Sequence, residues 1–167
     1  MACPPYNCHM ESISFQIPLG PMTLNHSHRI VKFGKRAARI KTDDFSSWEK
    51  EFAYWLQEYS DLKTHFQAGY VEKKHSICLE MFVYLNDKKF FTKPKNKSDF
   101  SRISKNSGDI SNMIKTSEDQ IFRWLGVDDS QVTRVIAEKI PTNSKDPTMV
   151  FRVSLQRRPE SFLVSPQ

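Results

Sequence analysis

The sequence holds little cysteine, no long apolar run and no internal repeat. Three cysteines, Cys3, Cys8 and Cys78, are too few and too scattered for a disulfide framework in a chain of 167 residues, so a reducing, intracellular setting is expected. No apolar stretch approaches the ~20 residues that a membrane-spanning helix needs. The opening, MACPPYNCHMES, has neither the basic start nor the apolar centre of a signal peptide. These absences predict a cytoplasmic protein with no membrane partner. Zinc is disfavoured too, because Cys3, Cys8 and His9, with His26 and His28 further on, match no standard ligand spacing.

What is present is an ordinary folding composition: 38% hydrophobic, 26% charged and 12% aromatic residues, despite a mean hydropathy of -0.57. That is enough apolar surface for one domain with a single core. Residues 1–9 read as a disordered extension, 10–157 as the domain and 158–167 as a flexible tail. The formal net charge of +6 and pI of 9.2 favour polyanionic partners, nucleic acid first, with a solvated basic surface as the bland alternative. Lys88, Lys89, Lys93, Lys95, Lys97, Arg102 and Lys105 crowd a stretch whose only acid is Asp99, the pattern of a phosphate-binding loop. Lys32, Lys35, Arg36, Arg39 and Lys41 form a second basic cluster.

Periodicity supplies the elements. Ile13, Phe15 and Ile17 alternate as a strand, and PLGPMTLNHSH after them is a loop. RIVKFGKRAARIK reads as a second short strand or an arm. From Asp43 to Phe66, Phe45, Trp48, Phe52, Trp55, Leu56, Tyr59 and Leu62 recur at three and four, which predicts one amphipathic helix capped by Asp43 or Asp44. Ser76 to Leu85 alternates β-forming residues and should be a central strand. A basic loop over 86–108 follows, in which Phe90 and Phe91 either anchor to the core or wedge between bases. VTRVIAEKI and TMVFRVSLQ then read as two strands joined by a hairpin loop, PTNSKDP.

Between loop and strands, DISNMIKTSEDQIFRWLG is an amphipathic helix. At about 100° per residue, Ile110, Met113, Ile114, Ile121, Trp124 and Leu125 share the buried face. Asp109, Asn112, Lys115, Thr116, Asp119 and Arg123 gather on the other. Asp109 is a candidate N-cap, Asp119 and Arg123 an i, i+4 pair, Gly126 a C-cap, and Asp128 and Asp129 turn residues.

This stretch and its continuation, GVDDSQV, resemble the RusA family of Holliday-junction resolvases. The family motif is Asp-x-Asp-Asn, a Lys three residues after the Asn, an Asp four later, and Asp-Asp-x-Gln-Val beyond the helix. Asp109, Asn112, Lys115, Asp119, Asp128, Asp129, Gln131 and Val132 match it in order. A proline-bearing loop ending at Asn25, the basic stretch before the motif and Lys139 in VIAEKIP agree as well. The resemblance spans about 12–156, with insertions around 60–75 and 86–105.

The resemblance implies an α+β single domain, a mixed β-sheet packed against α-helices, encoded by a bacterium or phage. It implies a homodimer that cuts four-way DNA junctions with Mg²⁺, Mn²⁺ being a possible substitute. Asp109 and Asp129 would hold the metal, Lys115 would stabilise phosphate charge or orient water, and Asp119 and Asp128 would support them. Asn112 and Lys139 would be supporting residues, and Asn25 with the lysines and arginine of the basic loop would meet DNA. One departure stands out: the motif's second acid is Ser111 here, and a neutral hydroxyl is a weak Mg²⁺ ligand. Three readings follow: Ser111 acts through a water, Asp128, Asp119 or Asp99 replaces the carboxylate, or the protein binds junctions without cutting them.

Overall fold

The computed structural model describes residues 12–91 and 108–158. Its chain order is β1 (Ser12–Ile17), α1 (Leu24–Ser27), β2 (His28–Phe33), β3 (Arg36–Lys41), α2 (Asp43–Gln57), α3 (Ser60–Gly69), β4 (His75–Asn86), α4 (Asp87–Phe90), α5 (Ile110–Leu125), a 3-10 turn (Asp129–Gln131), β5 (Val132–Thr142) and β6 (Thr148–Arg157). The main sheet has the order β1-β6-β4-β5, and β2-β3 forms a separate ribbon. β6 is antiparallel to β1 and β4, whereas β4 and β5 are parallel. The sheet is therefore mixed, as the α+β expectation required.

Strand alternation decides which face is covered. Phe15, Phe151 and Met81 stand in register on neighbouring strands and are buried. The next row over, Ser14, Arg152 and Glu80, faces the other way and carries an Arg152–Glu80 contact of 3.9 Å. Helices cover the first face: Phe52 of α2 meets Phe151 edge-on, and Trp124 of α5 meets Phe15. β4 is the central strand, with Ile77, Leu79, Met81 and Val83 all fully buried.

Several local expectations change in three dimensions. The 143–147 connection does not make a hairpin, because β4 lies between β5 and β6. Its turn residues do reverse the chain, but β4, whose Ile77, Leu79, Met81 and Val83 are all fully buried, takes the slot between them. The connection passes over the end of β4, where the Asn86 side chain donates to the Ser144 carbonyl at 2.7 Å. The helix expected from Asp43 to Phe66 is two helices, broken at Tyr59, whose hydroxyl donates to the Gln16 carbonyl (2.7 Å) and so pins the break to β1. Thr42 caps α2 instead of Asp43 or Asp44: its hydroxyl accepts from Phe45 N at 3.2 Å. The two acids sit in the first turn, where the helix dipole favours them.

RIVKFGKRAARIK is two strands instead of one, turning at Gly34 with φ +62°. The basic loop begins as a short helix whose Phe90 joins the core, with the exposed Phe91 edge-on against it. Strand β6 runs to Arg157, which pairs with His75, and Arg158 donates to the His75 carbonyl at 3.0 Å. The expected extension over 1–9 and the tail from 159 onward lie outside the described residues.

Candidate active site

Helix α5 returns the chain between two parallel strands. Its N-terminus therefore stands over the ends of β4 and β5, and its C-terminus over their starts. At the first end, Gly108 adopts φ +77°, and a Cβ there would come within 2.4 Å of Met113 Cε, so only glycine leads comfortably into the helix. Asp109 is the exposed N-cap, its Oδ1 accepting from Ser111 N at 3.0 Å. Lys139 reaches from β5 to donate to the Gly108 carbonyl at 2.9 Å, bracing the entry to the cap. Thr116, expected on the polar face, is buried and donates to the Met22 carbonyl at 2.5 Å, which ties the proline-bearing loop to α5. A cavity of about 260 Å³ opens here, with Leu85 and Met113 among its apolar lining and His26, Asn86 and Lys145 among its polar one.

Halfway along α5, Lys115 gathers the acids. Its Nζ lies 3.0 Å from Asp119 Oδ1, 3.0 Å from Asp129 Oδ2 and 3.5 Å from Glu118 Oε2. The hydrogen bonds to Asp129 and Asp119 push the ammonium well above its ordinary pKa, with burial working the other way, so it is charged at any physiological pH. Burial raises the Glu118 carboxyl although Lys115 opposes it. Asp128 behaves oppositely: hydrogen bonding from Ser130 lowers it, since it caps the 3-10 turn at 2.8 Å. Gln131 accepts from the Arg158 guanidinium, and its own amide reaches Ser130.

The geometry thus brings Lys115, Asp119 and Asp129 together and adds Glu118, which the sequence reading passed over although i, i+3 spacing from Lys115 could have found it. The expected Asp119–Arg123 pair does not form, because Asp119 faces Lys115 and Arg123 turns to Gln120 and Glu49. Asp109 is not in the cluster: it is ten residues from Asp119, about 15 Å along the axis. Ser111 is exposed one turn before Lys115, and Asn112 lies on the same stripe of the helix. Among the described residues no three His, Cys, Asp or Glu side chains form a ready metal cluster.

The motif's two halves, separated by fourteen residues of sequence, therefore meet at Lys115 and Asp129. The family model described as endodeoxyribonuclease RusA matches residues 18–153. The chain belongs to the RusA family. Family membership supports an endodeoxyribonuclease role at Holliday junctions. No curated protein matches the chain. The RusA match takes in every described element except the first strand and the end of the last.

The remaining RusA-like positions are placed as follows. Asn25 is exposed on α1, which packs against α5, and Lys88 is exposed on α4. Lys89 belongs to the same short helix. Lys93, Lys95, Lys97, Arg102, Lys105 and Asp99 lie outside the described residues, as do Cys3, Cys8 and His9. Among the described residues no helix is long and apolar enough to cross a membrane.

Sequence reading also missed Glu49 of α2. It accepts from Lys41 at 2.6 Å and Gln120 at 2.8 Å and lies 3.7 Å from Arg123, so it joins the ribbon, α2 and α5. Burial acts to raise its carboxyl, but the hydrogen bonds from Lys41 and Gln120, with the charges of Lys41 and Arg123, win and hold it below its ordinary value. Nothing local in the sequence joins Glu49 to Gln120, 71 residues away.

Proposed function

We propose that this RusA-family chain resolves four-way DNA junctions by Mg²⁺-dependent phosphodiester hydrolysis, acting as a homodimer so that two opposing strands are cut. The observation that carries the reading is the Lys115–Asp129 contact, which unites the helical half of the motif with the half beyond it. Hard Mg²⁺ takes oxygen ligands and is commonly held by only one or two carboxylates plus water and phosphate oxygens. The donor chemistry suits it, since Asp109 and Asp129 are carboxylates and Asp129 is about half exposed, although Asp109 stands apart from the Lys115 cluster. They are the proposed ligands. When bound, the ion would supply a Lewis acid for the phosphate and a more acidic water.

Of the replacements open for the acid missing at Ser111, Asp119 has the best support. Its carboxylate shares an ammonium with that of Asp129, whereas Asp128 is engaged with Ser130. Lys115, permanently charged and half exposed, would meet the scissile phosphate and stabilise charge building on its oxygens. Lys139 would hold the entry to α5 so that Asp109 is correctly presented. Asn25 and the basic loop would bind the flanking backbone, together with Lys88.

A second reading, junction binding without cleavage, rests on a specific feature. With Ser111 neutral, Asp129 is already balanced by Lys115. Incubating a labelled four-way junction with Mg²⁺, and separately with a chelator, decides between them. Paired nicks that need Mg²⁺ are expected. Equal binding in both conditions with nicks in neither would establish the binding-only reading, and failure to bind the junction at all would contradict both.

A further inference from the structure

We infer that the β2-β3 ribbon is a second DNA-contacting element, which lays its outward face into the major groove of a duplex arm. The inference rests on the junction-binding reading and adds to it a surface outside the motif. From His28 to Lys41 the chain carries six basic residues, Arg29, Lys32, Lys35, Arg36, Arg39 and Lys41, and no acid. All six are exposed. Among the described residues the two strands pair only with one another, and neither joins the main sheet. An isolated two-stranded ribbon is marginal in water unless something else packs on it.

Register sorts the ribbon into two faces. Ile30 pairs with Arg39, and Lys32 with Ala37, so these side chains share one side. Val31 and Ile40 are on the other and are half-buried. The outward side thus presents Ile30, 74% exposed, directly opposite Arg39 and beside Lys32. A large aliphatic residue flanked by cations and a small alanine suits DNA: cations meet phosphates, and the apolar group meets a base edge such as a thymine methyl. The major groove, about 12 Å wide, admits a two-stranded ribbon.

The root of the ribbon is fixed while its tip projects. Thr42 N donates to the Ser27 carbonyl at 3.0 Å and the Thr42 hydroxyl to the His26 carbonyl at 2.8 Å. Lys41 is held by Glu49 and lies over the Phe45 ring. The tip turns through Gly34 and Lys35. His26, at the root, lines the same cavity as Gly108, next to Asp109. A duplex arm on the ribbon would therefore run toward the start of α5.

The test is equilibrium binding of the full chain to a four-way junction and to plain duplex at several salt concentrations, without divalent metal. For the double variant Lys32→Ala/Arg39→Ala, the slope of log affinity against log salt should shrink by about 2, with affinity down roughly ten-fold per lost contact at 0.1 M salt. Ile30→Gln should weaken binding about ten-fold with the slope unchanged. Guanine N7 methylation in the contacted arm should interfere in the unaltered protein and cease to matter in the variants. All three sites are exposed, so folding should be intact by circular dichroism. Unaltered affinity and slope in both variants, while the native chain cuts junctions, would overturn the ribbon and leave the junction reading standing. Loss of a dimer by light scattering in Ile30→Gln would show that a second copy occupies this face and would overturn it equally. A native chain that binds no DNA would overturn both readings.

Discussion

Asp109 has a structural task and a proposed chemical one, and one pair of substitutions separates them. Asparagine is as good an N-cap as aspartate, whereas alanine loses about 1 kcal/mol. Asp109→Asn is therefore expected to keep the melting temperature and lose junction cleavage, and Asp109→Ala to lose both; thermal melts beside a nicking assay check this. Lys115 gives a pH test. Its pKa is raised in the folded state, so its contribution to stability is complete below the unfolded value of about 10.4 and fades as pH rises through the folded one. The difference in melting temperature between the native chain and Lys115→Met should be constant from pH 7 to 9 and shrink only in strong alkali. The cap at Asp109 and the left-handed Gly126, φ +71°, were legible because both are local signals. The Lys115–Asp129 contact was not, since it closes through a turn and no periodicity encodes it; only resemblance to the family pointed there.

At the scale of elements, α5 is held by two different kinds of contact. Ile121 is fully buried among the core residues, and Ile121→Ala should cost about 2–5 kcal/mol in denaturant unfolding. Glu49 links α5 to α2 and the ribbon root through charged hydrogen bonds. Its pKa is lowered on folding, so its contribution is present above the unfolded value of about 4.3 and disappears as pH falls through the folded one. Glu49→Gln should thus be less stable than the native chain at pH 7 and converge with it in acid, as followed by melts across that range. Element type could be read from sequence wherever burial set the period, as in β1, β4 and α5. Partnership could not: β5 and β6 looked like a hairpin, yet the more apolar β4 separates them. The break at Tyr59 was hidden because Phe45 to Phe66 keeps a helical apolar pattern while the backbone stops for a tertiary bond to Gln16.

On the scale of the whole molecule, the chain pairs a mixed sheet with a crossover helix that carries most of a nuclease motif. The net charge of +6 fits a polyanionic partner. Its six ribbon cations were visible in the sequence, but that Lys32 and Arg39 share one face with the exposed Ile30 was visible only once the two strands had paired. Ser111 is where family and chain part. Because it lies four residues before Lys115, an aspartate there would compete with Asp119 and Asp129 for the ammonium. Ser111→Asp is accordingly expected to raise the nicking rate by roughly ten-fold or more, the scale of one charged group in the transition state. The most direct test is the single-turnover rate at which a Mg²⁺-supplied four-way junction is nicked by the native chain and by Asp129→Asn. Paired nicks by the native chain, reduced at least about 100-fold in Asp129→Asn with junction affinity retained, are the expected result. Equal rates in the two proteins would contradict a catalytic site built on the meeting of Lys115 and Asp129.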